Sequence, residues 1–185
     1  LPTIRSRCRT LTLHALPSDT VLELLTRYRP ELTPDDAAAV TGLSEGSIGD
    51  AIDLAEAGGL DLYRDMIRLL STLPRLDIAA VHALGDRLSR ANAAESFQTF
   101  GRLLQDWLSR LVRERAQDRL PPDSGDGERE AFAAMTAQAN LAQIMEVWEK
   151  VSRLFLQADR ANLDRKQVLV SVFLALQATA QSETV

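Results

Sequence analysis

Apolar positions recur at helical spacing almost everywhere beyond residue 17, and at a spacing of two only before it. Leu11, Leu13 and Ala15 alternate with Thr10, Thr12 and His14, which predicts a short strand ended by Pro17. Ser18 can cap a helix carrying Val21, Leu22, Leu24, Leu25 and Tyr28, closed by Pro30. Thr33-Pro34-Asp35-Asp36 is a second start: Thr33 caps, Pro34 has no N–H to leave unpaired, and two carboxylates meet the positive end of the helix dipole. Gly42 is expected to stop that helix. Ser47 with Asp50 resembles a capping box, with Ile48, Ala51, Ile52 and Ala55 on one face and Gly58-Gly59 as the break. Residues 16–59 therefore predict a three-helix module, small for an independent core.

A larger helical block follows. Leu62, Met66, Leu69, Leu70 and Leu73 form one stripe ended by Pro74, and Asp77 can cap a helix bearing Ile78, Val81, Leu84 and Leu88. Asn92 with Glu95 is read as another capping-box pair, opening a long helix with Phe97, Phe100, Leu104, Trp107, Leu108 and Leu111 on one side. The breaker-rich stretch Leu120–Gly127 predicts a loop. Beyond it come a helix around Phe132, one carrying Leu141, Ile144, Met145, Trp148, Val151 and Phe155, and a last one from about Asp164 with Val168, Leu169, Val172, Phe173 and Leu176. The pattern gives an all-α fold: three small helices, then a bundle of five or six over residues 60–185, with a strand-like tail at 1–15. A lone strand is unstable in water, so its sheet is expected upstream, and the chain, which begins at Leu1, reads as a fragment of a longer protein.

Composition narrows the chemistry. Of 185 residues, 45% are hydrophobic and 25% charged, with 21 basic against 26 acidic side chains for a net charge of −5. The chain as a whole is no polycation built on phosphate contacts. No run nears 18 consecutive apolar residues, so no membrane span is expected. Cys8 is the single cysteine, which excludes an intramolecular disulfide and suits a reduced, cytoplasmic setting. Lys150 and Lys166 are the only lysines and neither follows a glycine, so no phosphate-cradling GxxxxGK[ST] loop is present. His14 and His82 stand far apart, outside any metal or nucleophile motif, and no metal site is expected. The Asp35–Asp36 pair is read as a helix start rather than an acid/base pair.

Two short segments carry a resemblance. Ser6-Arg7-Cys8, preceded by Leu1-Pro2 and Ile4, resembles the Ser-Arg-Cys motif of AAA+ clamp-loader subunits, where it follows the end of the nucleotide-binding domain. Gly46-Ser47-Ile48-Gly49-Asp50-Ala51 resembles the Gly-Ser-x-x-Asp-Ala segment that ends the three-helix lid of that family. In its ATP-hydrolysing members the position of Gly49 is a sensor arginine that reaches the subunit's own nucleotide; here it is glycine. That departure is similar to the delta-prime type of bacterial DNA polymerase III clamp-loader subunit, which keeps the motif and commonly does not bind ATP. Trp107 in the long helix and Asn162-Leu163-Asp164 before the last one also resemble its collar domain.

The resemblance implies the tail of an AAA+ domain at 1–15, a lid at 16–59 and an oligomerising collar at 60–185. It implies that Arg7, with Ser6 and Cys8 completing the motif, is an arginine finger projected into the ATP site of a neighbouring gamma/tau subunit. A planar, permanently charged guanidinium matches the charge spread over a transferring phosphoryl group. The implied partners are gamma/tau and delta subunits in a hetero-pentamer, with the sliding clamp and primed DNA reached through the assembly in the cytoplasmic replisome. The implied cofactor is ATP in the neighbour, with none in this chain and no enzyme activity of its own.

Plainer readings stand beside these. Arg5, Arg7 and Arg9 alternate and could form a solvated basic tail, or an arm on nucleic acid in a helical adaptor. A fragment of an ATP-hydrolysing gamma/tau-type subunit is the nearer rival, and Gly49 argues against it. Cys8 lacks an activating partner in sequence and reads as a small buried filler rather than a reactive thiol, while Ser6 reads as a turn residue that aims Arg7. Arg102, Arg110, Arg113, Arg115 and Arg119 are interleaved with Asp106, Glu114 and Asp118, which favours paired charges on a solvated face over a DNA-binding stripe. Trp107 and Trp148 are expected in the core.

Overall fold

The computed structural model describes Cys8 and residues 12–119, 127–161 and 163–181. Among these the secondary structure is all helical. The helices are α1 (Ser18–Tyr28), α2 (Pro34–Leu43), α3 (Ile48–Glu56), α4 (Gly59–Ser71), α5 (Ile78–Leu88), α6 (Ala94–Ala116), α7 (Glu128–Thr136), α8 (Leu141–Ala161) and α9 (Arg165–Gln181). The expected strand is not formed where it can be seen: residues 12–17 carry no regular structure, while Thr10 and Leu11 lie outside the described residues. A strand needs a ladder partner for its N–H and C=O groups, and the described residues contain none.

The chain divides into two compact units, Leu1–Glu56 and Ala57–Val185. In the first, α1, α2 and α3 pack mutually around Val21, Leu25, Val40, Ala51 and Leu54. Thr33 caps α2 as its sequence dictates: the Thr33 hydroxyl accepts from the Asp36 N–H at 3.1 Å and Pro34 opens the first turn. Ser18, expected as a cap, is instead the first helical residue, and Pro17 precedes it without a side-chain cap. Nor does Gly42 end α2. The helix runs to Leu43, and the chain reverses at Glu45 and Gly46, both with positive φ. An isolated glycine in a helix costs only ~1 kcal/mol against alanine, too little to stop one already packed.

In the second unit α4 packs on α6 and α7, α6 on α8, and α9 on α5, α7 and α8. The core is Met66, Leu70, Phe100, Leu104, Trp107, Leu108, Leu111, Met135, Ile144, Val151, Leu169, Val172, Phe173 and Leu176, all essentially inaccessible. Trp107 meets Phe132 edge-on at 5.1 Å, while Trp148 is only half-buried. Ile78 and Met145 are exposed beside their stripes. Gly101 lets α8 approach α6 so closely that a Cβ there would lie 2.7 Å from the Phe155 ring. Asp77 caps α5 through the Ala80 N–H at 3.0 Å. The Asn92–Glu95 cap is not made, and Ala93 precedes α6 without a side-chain cap. A reciprocal box forms instead at α8, where Asn140 and Gln143 exchange side-chain-to-backbone bonds of 3.0 and 2.8 Å. No helix of the described residues is long and apolar enough to cross a membrane.

Candidate functional site

The turn between α2 and α3 gathers the residues of the Gly-Ser-x-x-Asp-Ala segment. Ser44 and Thr41 are buried there, and the Ser44 hydroxyl donates to the Thr41 carbonyl at 2.9 Å. The Ser47 N–H donates to the Ser44 carbonyl at 2.9 Å, closing the turn. The Ser47 hydroxyl then accepts from the Asp50 N–H at 3.2 Å and its carbonyl from the Ala51 N–H at 3.0 Å, so Ser47 caps α3 as read from sequence.

Gly49 stands in the exposed first turn of α3. A Cβ added there would meet only the Ser47 hydroxyl, at 3.9 Å, an ordinary van der Waals contact. Packing therefore does not demand glycine at this position. Gly46 is the opposite case. Its φ is +86°, and a Cβ would fall 2.7 Å from the Leu16 carbonyl oxygen and 2.8 Å from the Ala15 Cβ. The Gly46 carbonyl also accepts the Leu16 N–H at 2.9 Å. The chain entering α1 is thus held against the turn, a contact that no spacing in the sequence announces.

Of the Ser-Arg-Cys residues, Ser6 and Arg7 lie outside the described residues, and Cys8 is exposed with its thiol free, so it does not fill a core as expected. Asp35 and Asp36 sit in the first turn of α2, and the Thr33 hydroxyl donates to the Asp36 carboxylate at 2.8 Å. Among the described residues no group of three or more His, Cys, Asp or Glu side chains is placed to hold a metal ion.

The arginines of α6 do not share one role. Arg115 pairs with Asp118 at 3.4 Å on the surface, as a solvated face would. Arg110 turns inward. Its guanidinium lies 2.9 Å from the carboxylate of Glu128 on α7 and donates to the Tyr63 hydroxyl of α4 at 3.1 Å. Glu128 is buried, with 8% of its side chain accessible, and burial drives the Tyr63 phenol well above its ordinary pKa, with Glu128 adding to the rise and Arg110 opposing it. The cluster joins three helices. A cleft of about 310 Å³ lies between α4 and α5. Asp65 at its edge takes Arg68 at 3.0 Å on one carboxylate oxygen and Arg87 on the other.

No protein-family model, curated protein or solved structure matches this chain.

Proposed function

We propose that this chain is the lid and collar part of a clamp-loader subunit of the delta-prime type, one that does not hydrolyse ATP itself and supplies Arg7 to the ATP site of a neighbouring subunit. The observation that carries the reading is the α3 start. The capped segment Gly46–Ala51 is built with Gly49 at an exposed position where an added Cβ meets nothing nearer than the Ser47 hydroxyl at 3.9 Å, and the residue there has no side chain. A chain reading its own nucleotide through this helix would place a cation at that point, and a glycine cannot extend one to a phosphate. Among the described residues, three helices in the first unit followed by six in the second give further support. The second unit would hold the pentamer together while ATP binding in the neighbours opens the clamp around primed DNA.

Arg7 would stabilise charge on the transferring phosphoryl group. Fingers supplied in trans to GTPases contribute about 10³–10⁵ in rate, which is an upper guide. The test is reconstitution of the intact subunit with ATPase and delta subunits, comparing clamp- and DNA-stimulated hydrolysis for wild type and Arg7→Ala. The expected result is a loss well beyond about tenfold at one site with assembly intact. Unchanged hydrolysis in an assembled complex rejects the finger. Tight, steeply salt-dependent binding of DNA by the chain alone would favour the nucleic-acid arm instead.

A further inference from the structure

Consecutive helices joined by a short connection normally pack side by side. α4 and α5, joined by residues 72–77, do not close on one another. α4 packs on α6 and α7, α5 packs chiefly on α9, and the cleft of about 310 Å³ is left between them. The connection is itself tied to α9, where the Gln177 and Gln181 side chains donate to the Pro74 carbonyl at 3.0 and 3.2 Å. Each wall of the cleft is therefore anchored to a different neighbour. A space of this volume stands at the lower end of the range for small-molecule pockets.

Its lining is ordered from end to end. The two helices run antiparallel across it, because Arg87 near the end of α5 reaches Asp65 on α4 while Thr72 and Asp77 both stand at the connection. The middle is apolar: Leu69 and Leu84 form the floor, and Ala80 and Ala83 leave the space above it open. One end is cationic. Arg68 and Arg87 each spend one terminal nitrogen on Asp65, on its two different oxygens, so two guanidiniums against one carboxylate leave a positive charge at the mouth. A guanidinium carries five N–H donors in a planar fork, and the rest of each fork is left for another acceptor. The opposite end is anionic. One Asp77 oxygen accepts the Ala80 N–H at 3.0 Å, and its carboxylate closes the cleft there.

We propose that this cleft binds a small organic acid with an apolar body: the carboxylate lies at Arg68 and Arg87, and the body lies over Leu69 and Leu84. Asp77 fixes the orientation, since it repels a second carboxylate at the far end. Arg68 and Arg87 are 75% and 47% exposed in their side chains, so the charge supplies selectivity and the floor supplies most of the affinity.

The probe is octanoate, with 1-octanol as its uncharged counterpart and octanedioate as its doubly charged one. In a methyl-detected NMR titration of the 185-residue chain, octanoate should give saturable 1:1 shifts at Leu69 and Leu84. Octanol and octanedioate should each bind about fivefold more weakly, the preference that exposed charges supply. Arg68→Gln/Arg87→Gln should bring octanoate down to the affinity of octanol and leave octanol unchanged. Ala80→Leu fills space that is open to solvent, and should weaken both by at least about fivefold. Tryptophan-monitored unfolding checks that each variant is folded, and Ala80→Leu keeps the test decisive if the double arginine variant is not.

Four results overturn the proposal. They are no saturable shift up to about 10 mM octanoate, shifts that fall on exposed Met145 and Leu156 instead of the cleft, equal affinity for octanoate and octanol, and octanoate binding that survives Ala80→Leu unchanged.

Discussion

Replacing Arg110 with methionine should destabilise the second unit by about 2–3 kcal/mol. Glu128 would keep its charge with 8% of its side chain accessible and would lose the Arg110 guanidinium 2.9 Å away. Breaking a fully buried pair from one side costs ~3–5 kcal/mol, and the 27% exposure of the Arg110 side chain places this pair below that range. The position of Glu128 in the first turn of α7 offsets roughly 0.5 kcal/mol, because the helix dipole still favours a carboxylate there. Glu128→Gln should cost only ~1 kcal/mol, since the amide oxygen can still accept and Arg110 can lean toward water. The double variant Arg110→Met/Glu128→Met should lose less than Arg110→Met alone, because both charges leave the interior together. Trp107 and Trp148 both lie in the second unit, so tryptophan fluorescence during urea unfolding follows that unit without interference from the first. The cycle is refuted if Arg110→Met costs less than ~0.5 kcal/mol, or if the two single losses simply add.

Other outcomes follow from the same packing. Gly101→Ala should destabilise the second unit by ~1–2 kcal/mol despite better helix propensity, because its Cβ would press to 2.7 Å from the Phe155 ring, which itself packs tilted against Phe97; tryptophan-monitored unfolding measures it. Thr33→Ala should cost about 1 kcal/mol in the first unit alone, seen as earlier loss of far-UV circular dichroism with the tryptophan transition unmoved. Tyr63 has a folded pKa raised above its ordinary 10.0, so the stability it contributes is full below pH 10 and falls as pH rises beyond it. Tyr63→Phe should flatten that alkaline decline in unfolding free energy measured from pH 9 to 11.5, and an unchanged slope would contradict the burial assigned to the phenol.

What the sequence made legible was whatever depends on near neighbours. Thr33, Ser47 and Asp77 cap helices three residues away, and each does so as its side chain and spacing dictate. Whole-helix stripes were equally plain, from Leu62–Leu73 to Val168–Leu176. The errors came where two local signals competed. Gly42 met the eye before Gly46, yet only Gly46 lies where the backbone must turn left-handed under another strand of chain. Asn92–Glu95 and Asn140–Gln143 have the same spacing, yet only the second makes the box, so the string alone does not decide it. Arg110 belonged by spacing to a solvated face, but its partner Glu128 stands 18 residues on, beyond a loop, where periodicity has no reach. The Leu16–Gly46 contact, 30 residues apart, was hidden for the same reason.

The placement of α9 has a consequence in time. It is apolar around most of its circumference and packs on α5, α7 and α8. Its own ties reach far back: Lys166 to Asp86, Gln177 and Gln181 to the Pro74 carbonyl. At a synthesis rate of about 5–20 residues per second, roughly 4–20 s separate the emergence of α5 from that of α9. Throughout that interval the faces of α5, α7 and α8 that will receive Val168, Val172, Phe173 and Leu176 have no cover. The first unit can close early on the ribosome, but the second keeps apolar faces exposed until its last helix has emerged.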